Sequence, residues 1–175
     1  MIPRAHITHW RQVAPWVQDV QVEQDLIICR ALVELFQHPE LSSALAFRGG
    51  TALHKLHLDP VRYSEDIDLV QVRQEPIGET IDAIREVMGS WLGESDSWDS
   101  GHASFTLRYR VESEPAHAPP IRLKLEINTR EHFTTDGYET LPLEIDSPWF
   151  TGRADVLTYG IVELLGTKMR ALYQR

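Results

Sequence analysis

The sequence predicts a mixed α/β domain of the α+β kind, with a mixed sheet flanked by helices. Three observations predict it. Apolar residues recur at helical spacing in some stretches and alternate every second residue in others. The two kinds of stretch interleave along the chain rather than segregating into halves. With 175 residues there is enough chain for one domain with a real core.

Each element has its own signal. Residues 17–37 read as a long helix, because Val22, Leu26, Cys29, Val33 and Phe36 fall on one stripe and Ile28, Leu32 and Leu35 widen it. "ALAF" at 44–47 is a short apolar strand. Gly49 and Gly50 break it, Thr51 is placed to cap a short helix over "ALHKLHL", and Pro60 helps end that helix. "EDIDLVQV" is the next strand. Pro76 opens a helix over 77–93, with Ile77, Ile81, Ile84, Val87, Met88 and Trp91 on one side. "SWDSGHAS" reads as a polar turn. "FTLRYRVE" and "IRLKLEIN" alternate as strands, joined by the proline-rich loop "SEPAHAPP". "YETLPLEI" is a weaker strand because of Pro142. "GIVELLGTKMRALYQR" is a helix that stops in mid-pattern.

Composition excludes several classes. The net charge of −9 argues against gripping nucleic acid through phosphates alone. A nucleotide site stays open, because metal ions can supply positive charge there. There is no apolar run of about 18 residues to span a membrane, and "MIPRAHITHW" lacks the apolar core of a signal peptide. Cys29 is the single cysteine, so no disulfide forms within the chain, which favours a reducing, cytoplasmic setting. The eight histidines show no zinc-ligand spacing, and we read them as mostly surface residues. No repeat, P-loop or nucleophile elbow occurs.

The chemistry gathers in "FRGGTALHKLHLDPVRYSEDIDLV". On a strand, Asp66 and Asp68 share one face and Ile67 and Leu69 the other. Two carboxylates roughly 7 Å apart repel each other, and an oxygen-ligated divalent metal relieves that repulsion. Taken alone, a D-x-D is more often two exposed acids near a sheet edge, and a lone Gly-Gly is more often a tight turn. Together they set a backbone phosphate cradle beside a metal site, an arrangement suited to phosphoryl or nucleotidyl transfer. Glu126, on the polar face of "IRLKLEIN" with Arg122, Lys124 and Asn128, is a candidate third acid. Lys168, in the last helix, is a candidate phosphate contact.

At this point the residues resemble a family. "FRGGTALHKL", "RYSEDIDLV", "LKLEIN" and "ELLGTKMRALYQR", in that order and spacing, are similar to the AbiEii/AbiGii-type nucleotidyltransferase toxins of the polymerase-β-like nucleotidyltransferase superfamily. "VEQDLIICRALVELF" and "PIGETIDAIREV" fit as well. The resemblance implies a Mg²⁺-dependent toxin of a bacterial toxin–antitoxin or abortive-infection system, cytoplasmic, with a cognate antitoxin. It would transfer a nucleotide from an NTP to an acceptor, RNA and a tRNA 3′ end being expected. The carried-over metal set is Asp66, Asp68 and Glu126, with two ions. The nucleotide set is Gly49, Gly50, Thr51, Ser64 and Lys168. The catalytic set is Asp66, Asp68, Glu126, Lys168 and Ser64, the last as a phosphate contact or an acceptor itself. The pair is Gly-Gly where the superfamily commonly has Gly-Ser, and the gap to Asp66 is longer than in many polymerases. Family members continue past "ALYQR" into an Arg-Asp motif and a helical region. Residues 1–175 are therefore expected to be the nucleotidyltransferase domain at the N-terminal end of a longer chain. Two alternatives remain: an inactive module that holds nucleotide or antitoxin, and a kinase-like phosphotransferase at the same site.

Overall fold

The computed structural model describes residues 2–114 and 119–173. The elements are α1 (Arg4–Trp10), α2 (Asp19–Gln37), α3 (Pro39–Ala44), β1 (Leu45–Arg48), α4 (Gly49–Ala52), a π-helical turn (Leu53–His57), β2 (Asp66–Gln71), α5 (Gly78–Leu92), β3 (Ser97–Ser100), β4 (Ser104–Val111), β5 (Ile121–Asn128), β6 (Tyr138–Asp146), β7 (Thr151–Tyr159) and α6 (Ile161–Tyr173). One seven-stranded mixed sheet runs β3-β4-β5-β2-β1-β7-β6. β2 pairs in parallel with β5, and β1 with β7; the other neighbours are antiparallel.

Alternation decides which way the sheet faces. Ile67, Leu69, Leu107, Leu123, Leu125 and Ile127 are fully buried on one side. α2 contributes Val22, Leu26, Cys29, Leu32, Val33 and Phe36 to the same core. Burying one such side chain stabilises the fold by roughly 1.5–3 kcal/mol, so this layer fixes the register of β2 and β5. Gln18 opens α2 with a reciprocal cap, its partner being Gln21. The opposite side of β2 and β5 carries the even-numbered polar residues, and there residues of α4 and α6 wall an open cleft.

The structure corrects several expectations. Ser97–Ser100 is a strand at the sheet edge, not a polar turn: Trp98 stacks on Phe105 at 5.8 Å, and backbone pairing with β4 holds it although its residues are exposed. β7 was not expected at all. Its inward residues are Ala154, Val156 and Thr158, too small and too polar to write a strong alternation. β6 is a full nine-residue strand; it lies at the other edge, where Pro142 forfeits no interior ladder bond. The short helices α1 and α3 were also missed. The loop expected between β4 and β5 includes residues 115–118, with His117, which lie outside the described residues. Thr51 is not a cap: the helix begins at Gly49, after Arg48, with no side-chain cap bond.

Candidate active site

Even-numbered residues of the central strands form rungs across the open face. The first rung joins Arg48, Asp68, Glu126 and Thr106 on β1, β2, β5 and β4. The next joins Asp66, Lys124 and Arg108. Residues paired across strands point to the same side. So Asp66, Asp68 and Glu126 come together on one face, as the alternation predicts. Lys124 is threaded between them: its Nζ lies 2.7 Å from Glu126 and 3.7 Å from Asp66. The hydrogen bond to Glu126 holds the Lys124 pKa above its ordinary value. Among the described residues, Asp68 has no such partner. Its own burial, then the charges of Asp66 and Glu126, push its pKa up to about 6.

Gly49 and Gly50 face this rung across a cleft of about 340 Å³, whose walls include Arg48, Gly49, Gly50, Asp68, Glu126 and Lys168. Gly49 has φ +83°, and a Cβ there would sit 2.1 Å from Asp68 Oδ2. Only glycine lets the turn and the carboxylate approach this closely. A Cβ on Gly50 would lie 3.0 Å from Ser64 Oγ and 3.1 Å from Lys168 Nζ, so these two polar ends flank the Gly50 backbone. Ser64 opens onto a neighbouring hollow of about 180 Å³, shared with Gly50, His54, Arg62 and Lys168. Thr51 lies beneath, fully buried. It donates to the Asp66 carbonyl at 2.6 Å and lies 2.9 Å from Ser64 Oγ, so it ties the glycine turn to the start of β2. Lys168 reaches the site from α6 and is exposed at the rim.

These observations test whether a divalent ion fits. Among the described residues, no three Asp, Glu, His or Cys side chains stand close enough to form a ready cage. The donor set is nonetheless all carboxylate, the chemistry a hard cation requires. The ammonium of Lys124 against Asp66 and Glu126 shows that these acids accommodate positive charge.

With this geometry established, the comparisons are decisive. The family profile AbiEii, described as "Nucleotidyl transferase AbiEii toxin, Type IV TA system", matches residues 30–175. The chain belongs to the AbiEii nucleotidyltransferase toxin family. Its fold is similar to that of MenT4, a nucleotidyltransferase toxin from Mycobacterium tuberculosis H37Rv, with a TM-score of 0.67 and 19% identity over 97% of this chain and 58% of that one. A putative nucleotidyltransferase from H. pylori has a TM-score of 0.55 at 14% identity, over 87% of this chain and 59% of that one. An antigenic nucleotidyltransferase-like protein from Paracoccidioides brasiliensis has a TM-score of 0.51 at 21% identity, over 85% and 67%. The chain thus spans under two thirds of the length of the MenT4 and H. pylori structures. No curated protein matches it. Among the described residues no helix is long and apolar enough to cross a membrane.

The family motif also hides residues that the motif reading passed over. Arg48, directly before the glycines, donates to Glu131 at 2.7 Å, and Glu131 is held in turn by Arg170 of α6. Those hydrogen bonds, that of Arg48 first, hold the Glu131 carboxyl below its usual range. Behind the glycine turn, Asp25 of α2 is almost fully buried. It accepts from both Trp10 and Trp16 and from Lys55 Nζ at 2.7 Å. Burial alone would raise its pKa; the ammonium of Lys55 and the hydrogen bonds outweigh this and hold it well below the carboxylate range. His54, on the same helical turn, has a side chain only 6% exposed, with Nε2 3.8 Å from Asp25 and Nδ1 3.3 Å from the Gly50 carbonyl. This corrects the surface reading for His54. The Lys-His pair in "ALHKLHL" was the signal; its partner, Asp25, lies 30 residues upstream of Lys55 in a helix that reads as apolar.

Proposed function

We propose that this chain is the catalytic part of a toxin that moves a nucleoside monophosphate from an NTP to an acceptor hydroxyl on RNA, at a tRNA 3′ end in particular. A cognate antitoxin and a cytoplasmic setting belong to the same reading. One observation carries it: a single cleft has the glycine turn on one wall, the Asp68–Glu126 rung on the other and Lys168 at its rim.

Asp66, Asp68 and Glu126 would hold Mg²⁺, one ion or two. When bound, the metal supplies charge neutralisation at the α-phosphate and acidifies the attacking hydroxyl. The chain's own groups do the rest. The Gly49-Gly50 backbone, free of Cβ atoms, lets phosphate oxygens approach closely. Lys168 offsets the charge of the β- and γ-phosphates. Ser64, beside Gly50, hydrogen-bonds a phosphate oxygen or accepts the nucleotide itself. The acceptor oxygen forms its bond to the α-phosphorus as the bond to the β-phosphate oxygen breaks. Pyrophosphate departs and the hydroxyl proton passes to solvent. Positioning and charge, rather than covalent catalysis, do most of this work.

The test is incubation with each NTP, Mg²⁺ and total RNA, followed by mass analysis of the RNA. The expected product is longer by one or more nucleotides, and Asp68→Ala does not form it. No mass gain with any NTP contradicts the reading. A gain of phosphate alone would mark a phosphotransferase.

A further inference from the structure

The rungs of the open face do not end at the acids. Beyond Asp66, Lys124 and Arg108 comes a rung of Arg122 and Arg110, two residues further along β5 and β4. Strand geometry sets it roughly 7 Å from the one before. Arg108, Arg110 and Arg122 are exposed. Among the described residues, Arg108 and Arg122 have no ion-pair partner, and Arg110 has only a loose one, Glu112 at 3.8 Å. Arg110 and Arg122 also line an open groove of about 450 Å³ between the start of α2 and the β4–β5 strands. At the cleft end of the row Lys124 is paired with Glu126 and Asp66; around the arginines the acids are Glu112, Glu65 in the groove wall, and Asp99 on β3 opposite Thr106. In a chain of net charge −9, three exposed arginines, none held in a close ion pair, beside Lys124 on one strand pair are a concentration that folding alone does not require. They lie on the same face as the carboxylates and on the side away from the glycine turn.

We propose that this row, Lys124, Arg108, Arg110 and Arg122, is the docking surface for the acceptor, and that it holds the sugar–phosphate backbone of single-stranded RNA as the chain enters the cleft. This rests on the nucleotidyltransferase reading for its direction: NTP sits at the glycine wall and RNA arrives from the β4–β5 side. The surface reads backbone charge, so it positions the RNA without selecting its sequence. It also accounts for nucleic-acid binding by an acidic protein: repulsion elsewhere leaves this row as the approach that is favoured.

The experiment is fluorescence anisotropy of a labelled single-stranded oligoribonucleotide, without NTP, across a salt series. Three proteins are compared: the unaltered chain, Arg108→Ala/Arg110→Ala/Arg122→Ala, and a control with the same charge change on other surfaces, Arg4→Ala/Arg85→Ala/Arg153→Ala. The unaltered chain should show a steep salt slope. Each phosphate contact contributes about 0.7 to that slope for a single strand, so the row variant should lose about 2 and at least tenfold in affinity. The control should keep most of both, and the melting shift with Mg²⁺ and NTP should be unchanged in all three. Equal loss in row and control variants overturns the surface, as does no loss in the row variant. Tighter binding of a DNA strand of the same sequence through these arginines overturns RNA as the occupant. Binding is read without turnover, so failure here is separable from failure of the transfer reaction.

Discussion

Gly49→Ala tests the closest approach in the site. The substitution has two costs. At φ +83° an L-residue gives up about 1–2 kcal/mol relative to glycine. Its methyl group then meets Asp68 Oδ2 at 2.1 Å, Cγ at 2.8 Å and Cβ at 2.9 Å. Rotating the carboxylate clears the first two, but the Asp68 Cβ is fixed to β2, so the turn itself must shift. Overpacking of this kind costs about 1–3 kcal/mol. The sum is about 2–5 kcal/mol, measured by denaturant unfolding without metal. Asp68→Gly removes all three of these atoms. In that background Gly49→Ala should cost little more than the backbone share, about 1–2 kcal/mol, so the double-mutant cycle should show a coupling of about 1 kcal/mol or more. Additivity within about 0.5 kcal/mol, or a Gly49→Ala protein as stable as the unaltered one, would refute the contact.

Three further outcomes follow from the same geometry. Asp68 has a folded pKa of about 6, against an ordinary 3.8, so its charged form is disfavoured in the fold and stability should rise as pH falls through 6. In metal-free buffer, Asp68→Asn should be the more stable protein at pH 7–8, by up to ~3 kcal/mol less a discount for the part of the side chain that solvent reaches. The gap should close by about pH 4; a gap that does not change with pH contradicts this. Lys55→Met leaves Asp25 charged and buried and should cost about 3–5 kcal/mol in unfolding measurements, with Asp25→Asn in the same chain restoring part of it; a cost under ~1 kcal/mol would show that Lys55 is not what compensates the buried Asp25. Mg²⁺ with NTP at about a hundred times its Kd should raise stability by roughly 2.7 kcal/mol. Gly50→Val, whose side chain points at Ser64 and Lys168, should abolish that rise; an unchanged melting shift would remove Gly50 from the phosphate site.

What was legible in the sequence depended on how strongly each residue wrote its environment. The alternation around Asp66, Asp68 and Glu126 predicted their shared face, because Ile67, Leu69, Leu125 and Ile127 had to be buried opposite them. The parallel pairing of β2 with β5 was not legible, since it depends on which strand sits next to which and no local pattern reports that. β7 escaped because Ala154 and Thr158 bury without looking apolar. Thr51 read as a cap because it followed two glycines; the helix starts earlier because φ at Gly49 already turns the chain, which frees the Thr51 hydroxyl for Asp66. Arg48 and Asp25 were invisible as site-building residues, because their partners Glu131 and Lys55 come from distant elements. The rung order that places Lys124 between two acids follows only from the sheet register.

The central claim is that the bond broken lies at the α-phosphate, with the glycine turn holding the leaving pyrophosphate. The direct measurement is parallel incubation of the protein, Mg²⁺ and RNA with NTP labelled at the α- or the γ-phosphate. The account predicts α-label in protease-resistant RNA, or on the protein and lost in Ser64→Ala, with γ-label released as pyrophosphate. Asp66→Ala and Asp68→Ala should each abolish most of the labelling, and the double variant should lose little more, because the two act as a unit. Transfer of γ-label to the acceptor without α-label would contradict the account and make the site a phosphotransferase.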